Sequence, residues 1–184
     1  MALAVRHPTE HTGPLTFADL QQFPDDGLRY EIVDGVLLVT PAPNTAHQTC
    51  VANLIVILTA AVSPDLQVLP APFDWLIDDM TCVEPDVLVF RRADVGAKRL
   101  AATPVLAVEV LSPGTARVDR GVKLHAYEDA GLPWYWLVDP VDPRLTVLQL
   151  VDGRFVPRAD VVGDESHTAT TPFAVTLAAS DLLR

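Results

Sequence analysis

The chain has 184 residues, 49% of them hydrophobic, and a formal net charge of −11. That composition suits a domain with a real core and excludes disorder. It also excludes a protein that coats its whole surface with lysine to hold a polyanion. No apolar run is long and uncharged enough to span a membrane, and the N-terminus lacks a stretch of secretory-signal length. The expectation is a cytoplasmic protein, with residues 1–14 a flexible arm and residues 15–184 a single domain. Cys50 and Cys82 lack metal-site spacing and read as buried free thiols of a reducing compartment.

Thr16 predicts the N-cap of a short helix that must end near Pro24. The run LRYEIVDGVLLV turns at Asp34-Gly35, the strongest hairpin signal in the chain. Glu31 sits in its first arm beside Ile32 and Val33, where the simplest reading is an exposed strand-face glutamate. Asn44 or Thr45 then opens the best helix, whose apolar stripe is Val51, Leu54, Ile55 and Leu58. His47 lies in its first turn and reads as a polar edge residue. LQVLP and PFDWLI form strand segments, interrupted at Pro70 and Pro72.

The centre of the chain is residues 83–128. Two apolar strands each carry one carboxylate, Asp86 and Glu109. Alternation places Asp86, Leu88 and Phe90 on one face of the first, and Ala107, Glu109 and Leu111 on one face of the second. Such charges need pairing, hydrogen bonds or a metal. If the strands are neighbours, the two acids converge and can ligate magnesium, with Glu31 as a third acid. A polar helix over 116–129 follows, with Asp119, Lys123 and Tyr127 four apart on one side. Only two lysines, Lys98 and Lys123, stand against eleven arginines. Lys123 either makes a plain Asp119 salt bridge or aims its ammonium at the carboxylates. Basic residues also concentrate over 91–123. After Gly131, WYWLVDP predicts a strand whose tryptophans enter the core, and Asp152-Gly153 marks a second hairpin. A short helix, SDLLR, closes the chain.

YEIVDG, PDVLVF, VEVLSP, the segment holding Asp119, Lys123 and Tyr127, and YWLVDP together resemble the bacterial putative restriction endonuclease family of the PD-(D/E)XK nuclease-like superfamily. The resemblance covers roughly residues 15–183. It implies an α/β (α+β) fold, a mixed central β-sheet flanked by helices with added β-hairpins. It also implies a divalent-metal site and a homodimer. Carried over by motif, Asp86 and Glu109 are catalytic metal ligands, joined by Glu31. The superfamily lysine expected two residues after the glutamate is Leu111 here, which leaves Lys123 on the following helix to serve as the catalytic lysine. His47, Asp119 and Tyr127 take supporting places. Arg117 and Arg120 are expected to contact DNA phosphates.

These features lead to a Mg2+-dependent endonuclease, with Mn2+ as substitute, that cuts DNA with an activated water. Two other readings stand beside it. One is a nuclease-like binding or assembly module without catalysis. The other is a hydrolase of another phosphoester or nucleotide.

Overall fold

The computed structural model describes residues 13–40, 42–96 and 98–184. Most of the expected N-terminal arm, residues 1–12, lies outside them. Helix α1 (Phe17–Leu20) starts at Thr16 in a reciprocal cap, with the Thr16 N–H donating to Asp19 at 2.9 Å. Strands β1 (Arg29–Val33) and β2 (Val36–Thr40) form the expected hairpin. Its turn holds Asp34 and Gly35 at φ 51° and 74°. Gly35 is doubly constrained, because a Cβ there would also run into Pro14. Asn44 caps α2 (Thr45–Ala61) by accepting the His47 N–H at 3.0 Å. Val51, Leu54 and Leu58 of its stripe are buried, and Ile55 is partly so.

Strands β3 (Leu66–Pro70), β4 (Asp74–Asp78), β5 (Thr81–Val83), β6 (Val87–Arg91), β7 (Arg99–Leu100) and β8 (Leu106–Val110) follow. Then come α3 (Ala116–Asp119), α4 (Val122–Asp129), β9 (Trp134–Asp139), β10 (Arg144–Val151), β11 (Arg154–Val162), β12 (Ser166–Ala169) and β13 (Val175–Ala178). The central six-stranded sheet runs β11-β10-β9-β8-β6-β3, and it is mixed because only β8 and β9 pair in parallel. A five-stranded sheet, β2-β1-β5-β4-β7, and the β12-β13 hairpin complete the architecture. LQVLP and PFDWLI are thus divided between the two larger sheets.

Alternation on the central strands makes two layers. Val87, Val89, Leu106, Val108 and Val110 pack with Leu54 and Leu58 of α2 and with Trp134 and Trp136, the expected core tryptophans. Leu88, Phe90, Ala107 and Leu111 face the other way, toward Trp75, Val83 and Tyr127. Burying each such aliphatic side chain stabilises the fold by about 1.5–3 kcal/mol before entropy is counted.

One local expectation is corrected. The helix over 116–129 is broken into α3 and α4 at Gly121, where φ is −130° and ψ is −88°. A Cβ at Gly121 would lie 2.9 Å from the Arg117 carbonyl oxygen, so the break requires glycine. Beyond the break, Val122 is exposed, whereas Leu124 and Ala126 pack against the apolar layer. The C-terminal segment Ala179–Leu183 forms the expected short helix, wound as a 3-10 helix.

Candidate active site

β6 and β8 are antiparallel neighbours, with Val87 opposite Val108 and Leu88 opposite Ala107. Asp86 therefore stands at the start of β6 beside Glu109. Asp86 Oδ2 accepts the Val110 N–H at 2.8 Å, which anchors it to the adjacent strand. His47 Nε2 lies 3.1 Å from the same oxygen. His47 is buried against Asp86, not a free polar edge, because the Asn44 cap points the first turn of α2 at the sheet.

Glu31 is 1% exposed, which corrects its reading as a surface glutamate. The pairing of Ile32 with Cys82 brings β1 against β5, where Glu31 Oε1 accepts the Glu84 N–H at 2.7 Å. Lys123, 2% exposed, sends Nζ to Glu31 Oε1 at 2.8 Å and to Glu109 Oε1 at 3.0 Å. Tyr127 donates its hydroxyl to Glu109 Oε1 at 2.8 Å. Among the described residues, the ion pairs of Lys123 run to these two acids and not to Asp119. Asp119 is buried nearby in the cleft wall, and its carbonyl accepts the Tyr135 hydroxyl at 3.0 Å.

The structure adds Arg29, which sequence reading overlooked. Its Nη1 lies 2.8 Å from Asp86 Oδ1, and its Nε lies 3.6 Å from Glu31 Oε2. The available signal was period two, since Arg29 and Glu31 share one face of β1. Arg117 and Arg120 are not brought to the acids. Both are exposed, Arg117 on α3 and Arg120 just after it, and Arg120 leans toward Asp139 at 3.9 Å. The basic residues of 91–99 do not join them in one patch. Arg91 ends β6 at the end opposite Asp86, and Arg99 stacks its guanidinium on Phe17 at 4.7 Å.

A cleft of about 790 Å³ opens over this cluster, lined by Arg29, Glu31, His47, Asp86, Asp119 and Lys123, with Glu109 behind them. Burial pushes Glu109 up to about 8 despite Lys123. It likewise raises Glu84 to about 7 and Asp119 to about 6. Asp86 moves the other way. Although burial opposes it, His47 and Arg29 hold its carboxyl at about 2. Burial would lower Lys123, but Glu109 and Glu31 outweigh it and keep the ammonium charged.

Formally, four buried carboxyl groups (Glu31, Asp86, Glu109 and Asp119) face two permanent cations, Arg29 and Lys123. A set of hard oxygens short of positive charge fits a divalent cation such as magnesium. As the side chains stand, no group of three or more His, Cys, Asp or Glu is arranged around one metal position among the described residues. The carboxylate oxygens turn to Arg29 and Lys123 instead.

A family model described as "Uma2: Putative restriction endonuclease" matches residues 17–180. The chain belongs to the Uma2 family. No curated protein matches the sequence. Among solved structures, the chain is similar to a putative nuclease belonging to DUF820 from Anabaena variabilis ATCC 29413, with a TM-score of 0.74 at 18% identity. The match covers 92% of this chain and 98% of the Anabaena chain. A likeness at that identity concerns the fold, a restriction-endonuclease-like mixed sheet flanked by helices. Within this Uma2 chain, Leu111 is 3% exposed in the apolar layer, while the α4 lysine reaches the Glu109 carboxylate. Among the described residues, no helix is long and apolar enough to cross a membrane.

Proposed function

We propose that the chain is a divalent-metal-dependent endonuclease that hydrolyses DNA phosphodiester bonds with water as the nucleophile, acting as a cytoplasmic homodimer. One observation carries this reading. Glu31, Asp86, Glu109 and Lys123, distant in sequence, meet at the base of one cleft. Family membership supports nuclease chemistry. The buried thiols of Cys50 and Cys82 suit a reducing compartment, and light scattering checks the dimer.

Asp86 and Glu109, with Glu31, would hold Mg2+ or Mn2+. Such an ion would supply polarisation of the phosphodiester and a lowered pKa for the water that attacks once it has lost its proton. The chain's own residues do the positioning. Val110 and His47 fix the Asp86 carboxylate, and Tyr127 fixes Glu109. Lys123 holds Glu31 and Glu109 together and sets a permanent positive charge beside the phosphate that reacts.

The test is cleavage of duplex and single-stranded DNA with Mg2+ and Mn2+, comparing the natural chain with Asp86→Asn. The variant is expected to lose activity by about 100-fold or more. Full activity in the variant would sink the site. A second reading, a binding module without catalysis, is favoured by the way Arg29 and Lys123 already pair with the acids. Absence of cleavage with both metals, in protein that binds DNA, would support that module instead.

A further inference from the structure

Asp86 and Glu31 each have one carboxylate oxygen built into the fold and one that is not. Asp86 Oδ2 is held by the Val110 N–H at 2.8 Å and lies 3.1 Å from His47. Glu31 Oε1 is held by the Glu84 N–H at 2.7 Å and pairs with Lys123 at 2.8 Å. Among the described residues, the two remaining oxygens are both met by Arg29, at 2.8 Å for Asp86 Oδ1 and 3.6 Å for Glu31 Oε2.

The guanidinium is a loose fit there. Nη1 donates one hydrogen to Asp86 and the other to the Glu84 carbonyl at 3.2 Å, and none of these bonds reaches Glu31. Among the described residues, the buried Nε has no hydrogen-bond partner, because 3.6 Å to Glu31 exceeds bonding distance. A matched arginine–carboxylate pair would instead form two parallel bonds. Access also separates the two cations of the cluster. The Lys123 side chain is 2% exposed, whereas that of Arg29 is 19% exposed and lines the cleft.

We propose that Arg29 and the divalent cation compete for Asp86 Oδ1 and Glu31 Oε2. Cation binding then releases the guanidinium into the cleft, where it holds a phosphate of the nucleic acid. Like charges repel too strongly to share these two oxygens in a buried setting. A freed guanidinium at the cleft wall is a natural fork for phosphate oxygens. Arg29 thereby couples the two binding events, so that a loaded site is also the one prepared to hold substrate. This inference rests on the metal-dependent reading above and adds a residue and an order of events to it.

The test measures binding rather than turnover. Mn2+ is titrated calorimetrically into the full chain and into Arg29→Gln, without DNA. The variant is expected to bind Mn2+ about tenfold more tightly, within the usual range of coupling between sites. With Mn2+ saturating, it is expected to bind an uncleavable phosphorothioate duplex more weakly, with a salt slope reduced by about one. Arg29→Lys keeps a cation and guards against a general folding defect. It should bind Mn2+ much as the natural chain does, yet lose duplex affinity, because an ammonium cannot make the two-bond contact. Unchanged or weaker Mn2+ binding in Arg29→Gln, with Mn2+ still bound by the natural chain, overturns the competition alone. Failure of the natural chain to bind Mn2+ overturns the metal-dependent reading and this inference with it.

Discussion

On β6 and β8, Val87, Val89, Leu106, Val108 and Val110 turn toward α2 and enter an all-apolar core. The alternate residues, Leu88, Phe90, Ala107 and Leu111, share their layer with Tyr127, which donates to the buried Glu109. One face gains stability simply by leaving water. The other removes charges from water and must offset that cost with cations and hydrogen bonds. The offset is complete in some places and incomplete in others. Glu128 accepts the Phe155 N–H at 2.6 Å and an Arg154 bond at 2.8 Å. Against the upward push of burial, these partners and His125 hold it below the usual carboxylate range. Glu109 shares its lysine with Glu31, and burial wins, raising it to about 8. A buried acid with its own partners is fully offset; one that has to share a cation is left short of positive charge.

The largest effect is expected at Lys123. Lys123→Met keeps volume but strands Glu31 and Glu109, and should cost about 3–5 kcal/mol in urea unfolding along with DNA cleavage. Unchanged stability would break the contrast between the faces, because it would mean the acids do not need that charge. On the apolar face, Val108→Ala should cost about 2 kcal/mol, yet leave the cleavage rate per folded molecule unaltered. A rate loss there would show that the layers are not independent.

The smallest effect sharpens the comparison of the two glutamates. The Glu109 carboxyl is raised from 4.5 to about 8, so the folded chain keeps a proton that the unfolded chain has lost. Its contribution to stability therefore falls as pH rises across that window. Glu128 is depressed, so its contribution is present above the unfolded value and is lost as pH falls through the folded one. Unfolding in chelator from about pH 3 to about pH 9 should separate them. Glu109→Gln flattens the decline toward alkaline pH, and Glu128→Gln flattens the acid loss. If both variants altered the same limb, the distinction would fail.

Features set by neighbours in the chain were legible from the sequence. The Asp34-Gly35 and Asp152-Gly153 turns, the Asn44-capped α2 and the apolar β9 all follow from backbone preference and side-chain period. The same local period put Asp86 and Glu109 on matching strand faces, and the scarcity of lysine drew notice to Lys123. Glu31 was read as exposed because β1 alone does not reveal that β5 will cover it. Arg29 was missed because an arginine opening a strand becomes unusual only when two acids are brought to its head. Arg117 and Arg120 were expected to contact DNA phosphates; the local turn of α3 leaves both exposed while Asp119 turns in.

The sequence by itself therefore determined the elements, the two-faced pattern of β6 and β8, and the placing of acids among apolar residues, since these depend on spacings of two or four residues. Only the tertiary structure decided which acid met which cation. Those contacts join residues such as Glu31, Asp86 and Lys123 across long stretches of chain, and whether a buried charge is paired depends on every element packed around it.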